Sequence, residues 1–363
     1  MARLAGILEA LNEEKIERRR IKRKMRKRYL QRSIPDFEFV SKYRLSRELF
    51  EDLCQDVVPL LSLPKNSRAI DPITKILTAL NFYASGCYQG AVGQNLDTPM
   101  AQQSVSNCIR DVTDALNTPF ILRKYIRFPQ SREDRNVLKR NFATQYGIPG
   151  VIGCIDCTHV AIIRPTTNEE RFFNRKHYHS LNVQVIADSN LKILNIDASY
   201  GGATHDAFIW EHNEIKDHLE SLQGETTYLL GDSGYPLRVY LMTPYENAVE
   251  DSPEDRYNSR HKRTRNTVER VFGILKSRWR CLLAARELHY APRAAGRISI
   301  ACAVLHNMCI DQNLTTPDLS SEEINNESAR QPSATVWHQS STAALDRGRT
   351  ARNSLIQLLE QSR

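Results

Sequence analysis

The chain has 363 residues, 41% of them hydrophobic, and its 50 Lys and Arg against 42 Asp and Glu give a net charge of +8 and an isoelectric point near 9.0. That balance favours a polyanionic partner such as nucleic acid. No leader-like segment opens the sequence, no apolar run is long enough to cross a bilayer, and the eight cysteines are scattered, which argues against membrane insertion and a disulfide framework and for a soluble intracellular protein.

In chain order, the first feature is the almost wholly cationic run from Arg18 to Arg28, which reads as a nuclear-import or phosphate-binding arm. Residues 36–130 read as helical. Ile73, Ile76, Leu77 and Leu80 recur at helical spacing, Gly86 and the stretch Gly90 to Gly93 interrupt the pattern, and a further helix follows Asp97-Thr98-Pro99. That helix places Val105, Ile109, Val112 and Leu116 on one face and Gln102, Gln103, Ser106, Asn107 and Arg110 on the other. Helix, turn and helix with exposed amides and Arg suits a helix-turn-helix reader of base edges, although an ordinary helical bundle gives the same pattern.

From residue 150 the pattern shifts to short strands at 150–156, 181–187 and 193–198, with Asp188-Ser189-Asn190 as the turn between the last two. A helix is expected over 206–220, a strand over 226–231 and an amphipathic helix from about Asn266, with Val268, Val271, Leu275, Trp279 and Leu282 on one stripe and Glu269 near another. Three strands, a helix, a strand and a later helix is the element order of a ribonuclease-H-like α/β core. After residue 312 the composition turns to Ser, Thr, Asn and Gln and reads as a flexible linker, ending in a short helix over 349–361.

Four acids fall at informative places in this order. Asp156 closes an apolar run, Asp232 closes another, Glu269 sits near the start of the amphipathic helix, and Asp206 opens the helix between the strands. Carboxylates at the ends of neighbouring strands, with another on a helix packed against them, converge although far apart in sequence. Such a cluster repels itself unless a cation is present, and an all-oxygen donor set suits Mg²⁺ or Mn²⁺, the ions that drive attack on phosphodiesters. The basic stretch Arg260, Lys262, Arg263 and Arg265 precedes Glu269, and Arg270 and Lys276 follow it, as cations available to phosphates. Cys154 and Cys157 superficially suggest zinc, but no second pair completes a ligand set and the two point to opposite faces of a strand. His159 reads equally as a structural residue, and residues 174–179 equally as a DNA-contacting or a solvated loop.

Four segments, Gly153 to His159, Gly231 to Pro236, Leu241 to Tyr245 and Val268 to Lys276, closely resemble the motifs of PIF/Harbinger-type DDE transposases, including the domesticated Harbinger transposase-derived nucleases of animals. The likeness runs in order over about residues 40 to 312. It implies a ribonuclease-H-like fold, catalytic acids at Asp156, Asp232 and Glu269, and Asp206 as a further acid engaged in metal binding. Two departures stand out: Arg238-Val239-Tyr240 replaces a common proline and tryptophan, and Cys157 replaces a frequent glycine. Transposons of this family encode a separate Myb/SANT-like DNA-binding protein, so a partner of that kind is implied. The expected organisation is a basic arm over 1–35, a helical, helix-turn-helix-like region over 36–130, a ribonuclease-H-like nuclease domain over 131–312 and a tail over 313–363. The expected activity is a divalent-metal-dependent DNA endonuclease acting in the nucleus, with the cytoplasm also admitted. The alternative is a DNA-binding or scaffolding protein that keeps the acids and does not cut.

Overall fold

The computed structural model describes residues 34–62, 69–95, 100–222, 224–330 and 343–361; the cationic run 18–28 lies outside them. Two compact units divide the chain between Ala115 and Leu116. The first is helical, with α1 (Asp36–Tyr43), α2 (Arg47–Val57), α3 (Pro72–Ser85), α4 (Gln89–Asn95) and α5 (Gln102–Leu116). Local chemistry sets the ends of these helices. Asp71 accepts from the Thr74 N–H at 2.9 Å with Pro72 as first helical residue, and Gly86 closes α3 at φ 62°, a left-handed conformation that glycine adopts without strain. On α5, Val105, Ile109 and Val112 are buried while Gln102, Gln103 and Arg110 are exposed, the amphipathic division expected from spacing. A Tyr83 to Thr113 hydroxyl contact of 2.6 Å and a Lys75–Asp111 pair of 2.7 Å tie α3 to α5.

The second unit is built on a five-stranded sheet: β1 (Val151–Ala161), β2 (Ser180–Ala187), β3 (Ile193–Gly201), β4 (Tyr228–Leu230) and β5 (Leu241–Met242), in the order β3-β2-β1-β4-β5. β1, β2 and β3 form an antiparallel meander, and β4 and β5 add in parallel beside β1. The helices are α6 (Pro119–Tyr125), α7 (Arg132–Tyr146), α8 (Asp206–Glu211), α9 (Glu214–Ser221), α10 (Pro253–Arg278), α11 (Pro292–Asp311), α12 (Ser321–Arg330) and α13 (Ala343–Gln361). A mixed α/β core with a central sheet flanked by helices is the ribonuclease-H-like architecture that the element order predicts. A hydrophobic cluster that includes Ile155, Ile186, Trp210, Leu229 and Tyr240 fills one side of the sheet. On α10, Val268, Val271 and Leu275 are buried. α11 comes so close to β3 that a Cβ at Gly296 would lie 2.5 Å from the Ala198 carbonyl oxygen, a distance only glycine avoids.

Several boundaries differ from the sequence reading. The helix expected from Asn266 begins at Pro253, capped by Ser252, and ends at Arg278, so Trp279 and Leu282 fall in and beside a 3-10 turn. Its buried stripe runs unbroken through Tyr257, His261, Thr264 and Val268, but the cations packed between those residues hide it. The helix expected over 206–220 is two helices, because the Asn213 side chain caps the second by accepting from the Ile215 N–H at 2.9 Å. β1 continues past Asp156 because its pairing with β2 runs on to Ala161 opposite Ser180. The polar stretch after 312 contains α12. Among the described residues no helix is long and apolar enough to cross a membrane.

Candidate active site

Strand register brings the first two acids together. Cys154 pairs with Leu230 at the end of β4, so Asp232, two residues beyond, comes level with Asp156 where β1 has lost its β4 neighbour. Side chains alternate along β1: Cys154 contacts the Thr264 carbonyl of α10 at 3.4 Å, whereas Cys157 lies 3.3 Å from the Tyr235 hydroxyl, so the two thiols face opposite sides and form no zinc pair. Asp156 points, with Cys154, toward α10. Glu269 reaches the same place from that helix, and Asp206 does so from the first turn of α8. All four acids line one cavity of about 370 Å³, with Arg175 and Lys176 also on its wall. A Cβ at Gly202, also on the wall, would come within 2.1 Å of the Ser180 hydroxyl, so glycine there keeps the cavity in shape.

Each carboxylate is held. Asp156 accepts the Cys157 N–H at 2.9 Å and Arg265 Nη1 at 2.6 Å. Asp232 accepts the Gly234 N–H at 2.8 Å, and Asp206 accepts the Asn182 side-chain amide at 2.8 Å. Arg265 Nη2 donates to Glu269 one turn on, so a single guanidinium bridges Asp156 and Glu269. Burial pushes the Asp156 carboxyl up to about 7 against the pull of Arg265, with Asp232 and Asp206 adding to the rise. Asp232 is also raised, first by burial, while the Gly234 N–H opposes and Asp206 reinforces it.

Asp156 and Asp232 therefore resist holding unshared negative charge, and Asp156 and Glu269 already share one cation, the Arg265 guanidinium. Arg265 lies between Asp156 and Glu269, and carboxylate oxygens are by chemical type donors for a hard divalent cation. Among the described residues, no group of three or more acidic, His or Cys side chains is arranged to hold a single metal ion.

The cations of the sequence reading separate. As part of a helix, 260–265 is not one basic face: Lys262 lies on the Glu269 stripe seven residues away, while Arg260 lies on nearly the opposite side. Lys262, Arg263 and Arg270 are exposed and Arg260 is partly so. Arg265 and Lys276 were expected to meet phosphates, but Arg265 is drawn into the acids and Lys276 is buried against Glu327. His159 is buried against the Ser180 hydroxyl at 2.7 Å and lowered to about 4 by burial and by Lys276, which makes it a neutral structural residue. Two groups escaped the sequence reading. Arg265 as a bridge had a signal, the i to i+4 spacing to Glu269; Asn182 as the support of Asp206 had none, because the two meet only through the β2 and α8 packing.

The core has the ribonuclease-H-like architecture of DDE enzymes, and residues 155–307, from β1 into α11, match the family described as DDE superfamily endonuclease. The chain is 35% identical over 283 residues to “Putative nuclease HARBI1” of Bos taurus, covering 77% of this chain and 80% of that protein. It is 34% identical to the Homo sapiens protein of the same name, with the same coverage. “Protein ALP1-like” of Arabidopsis thaliana is 24% identical over 302 residues, 77% of this chain and 72% of its own. No solved structure matches significantly. The chain belongs to the PIF/Harbinger-type family of DDE transposase-derived nucleases. Membership implies, in general terms, a metal-dependent nuclease mechanism and interaction with DNA.

Proposed function

We propose that the protein is a divalent-metal-dependent DNA endonuclease in which Asp156, Asp232 and Glu269 are the catalytic acids and Asp206 supports the same Mg²⁺ or Mn²⁺ site. One observation carries this reading: four acids from β1, the end of β4, α8 and α10 line a single cavity, and two of them already share a cation through Arg265. The metal, when bound, activates water or a 3′-hydroxyl and offsets charge on the leaving oxygen. The chain's own residues hold the acids for that task. The Gly234 N–H and the Asn182 amide fix the rotamers of Asp232 and Asp206, and the β1–β4 register sets the Asp156 to Asp232 approach. Lys262, Arg263 and Arg270 project from α10 into solvent, where they neutralise phosphates without reading sequence. Targeting and nuclear import fall to the cationic arm and to a Myb/SANT-like partner. Arg265 also favours a second reading, a DNA-binding or scaffolding protein whose acids are kept neutralised and do not cut.

Cleavage of supercoiled DNA by the purified chain in Mn²⁺, Mg²⁺ or EDTA, compared with Asp156→Asn and Glu269→Gln, separates the two. Metal-dependent nicking lost in both variants supports the endonuclease. Binding without nicking, unchanged in the variants and not rescued by a Myb/SANT-like protein, supports the scaffold.

A further inference from the structure

α12 is held to the core without an apolar face: none of its residues is buried and its Ile324 is half exposed. Its anchors are polar. Glu327 accepts from Lys276 Nζ through one oxygen and from the Ala284 N–H at 2.9 Å through the other. Arg330 donates to the Ala284 carbonyl and lies over the Tyr178 ring, and Arg280 pairs with Glu323 at 3.5 Å. The receiving surface is of a different kind. The Lys276 side chain is only 3% exposed and Ala284 2%. Its ammonium also donates to the His159 carbonyl at 2.9 Å, and His159 lines the acid cavity. An ammonium and an N–H buried side by side are costly unless an anion satisfies both. Here the anion is a carboxylate on a helix that nothing apolar retains.

The position suits a phosphate. Lys276 follows Glu269 by seven residues, almost the same angle on α10, and so lies about 10 Å further along the helix axis. A nucleic-acid backbone running from the acids along α10 would come within reach of it, and a phosphate oxygen accepts from an ammonium and an N–H as a carboxylate does. We propose that Lys276 Nζ and the Ala284 N–H form a site for a backbone phosphate of bound DNA, closed in the free protein by the Glu327 carboxylate of α12. The inference rests on the reading of the protein as one that acts on DNA.

The test is binding of the full chain in EDTA to a fluorescently labelled duplex over a range of salt, with Glu327→Gln compared against Glu322→Gln, the same charge change at an exposed position of the same helix. Glu327→Gln is expected to bind about tenfold tighter than Glu322→Gln, with a slope of log affinity against log salt steeper by about 0.9, one added phosphate contact. Lys276→Gln combined with Glu327→Gln is expected to remove that gain. In the wild type, which needs no substitution to fold, amides of 321–330 are expected to exchange faster with hydrogen isotope at saturating DNA. Equal affinity of the two single variants, or unchanged protection of α12 in the DNA complex, overturns the site while leaving the DNA reading intact. Failure of wild type and Glu327→Gln alike to bind any duplex, with or without a Myb/SANT-like protein, overturns both.

Discussion

Asp156→Asn tests the physical basis of the site before any substrate is added. The Asp156 carboxyl stands at about 7 in the folded protein against an ordinary 3.8, with burial as the first cause. A carboxyl raised on folding contributes stability that is fully present below 3.8 and lost as pH climbs through about 7. At pH 8 the ionised side chain therefore costs the fold roughly 4 kcal/mol relative to its neutral form. Asparagine has the neutral shape without the ionisation. It gives up part of what Arg265 donates to Oδ2, about 1 kcal/mol for a hydrogen bond, so Asp156→Asn should be more stable than wild type by roughly 3 kcal/mol at pH 8. The gap should close toward pH 4, where the wild-type carboxyl is protonated. Urea unfolding in EDTA at pH 4, 5.5 and 8 measures this, provided the denaturant slope is unchanged. Adding Mn²⁺ at pH 8 should stabilise only the wild type and narrow the gap. A variant no more stable than wild type at pH 8, or a gap that does not vary with pH, refutes the account of a buried carboxylate waiting for a cation.

Arg265→Gln removes the bridge between Asp156 and Glu269, whose partners are 15% and 48% exposed. Metal-free stability at pH 8 should fall by about 2 kcal/mol, less than for a fully buried pair, while Mn²⁺ affinity rises about tenfold because a competing cation is gone. Thermal unfolding with and without Mn²⁺ reads both effects, and unchanged affinity shows that Arg265 does not compete for the acids. Away from the site, Glu225 is gripped by Arg135 at 2.7 and 3.0 Å and by Lys139 at 2.7 Å, in a nearly buried cluster. The Arg135 hydrogen bonds, ahead of burial, hold its carboxyl well below the usual range. A depressed carboxyl gives stability present above about 4.5 and lost in acid. Glu225→Gln should therefore cost about 3 kcal/mol at pH 7 and clearly less at pH 3, as urea titrations at the two values would register.

How far the sequence discloses this molecule depends on where each element draws its stability. β1, β2 and β3 are apolar runs between turn residues, so their pattern is visible locally; Asp156 and Asp232 each close such a run inside a family motif, whereas Asp188, which closes another, serves its own turn by accepting the Asn190 and Lys192 N–H groups at 2.8 and 2.9 Å. α10 hides its start because thirteen polar residues precede Val268 in it, and of its buried stripe there, Tyr257, His261 and Thr264, only Tyr257 counts as apolar. β5 is two residues long and exists only because β4 lies beside it. Composition hides α12, yet its start carries a signal: Ser320 and Glu323 form a capping box, with the Glu323 N–H on the Ser320 hydroxyl at 3.2 Å and the Ser320 N–H on Glu323 at 2.9 Å. What no local pattern reveals is pairing across the fold, such as Arg265 with Asp156 or Lys276 with Glu327.

Those two pairings follow one logic. Along a single stripe of α10, a cation at 265 is neutralised by two of the acids proposed to hold a metal, and a cation at 276 is neutralised by the acid of α12 proposed to stand in for a phosphate. A half-buried charge must be paired to be tolerated at all, so a protein meant to bind both a cation and a polyanion must satisfy its own groups while free of them. Each ligand then replaces an internal partner instead of filling an empty place, and its apparent affinity is the difference between two pairings. Metal and DNA binding should accordingly strengthen each other less through direct contact than through release: were Asp156 and Glu269 to hold a metal, Arg265 would be left free to pair with the phosphates of a bound strand. Mn²⁺ titrated into the wild type with and without duplex DNA should show that coupling, and Arg265→Gln should abolish it while leaving each ligand able to bind alone.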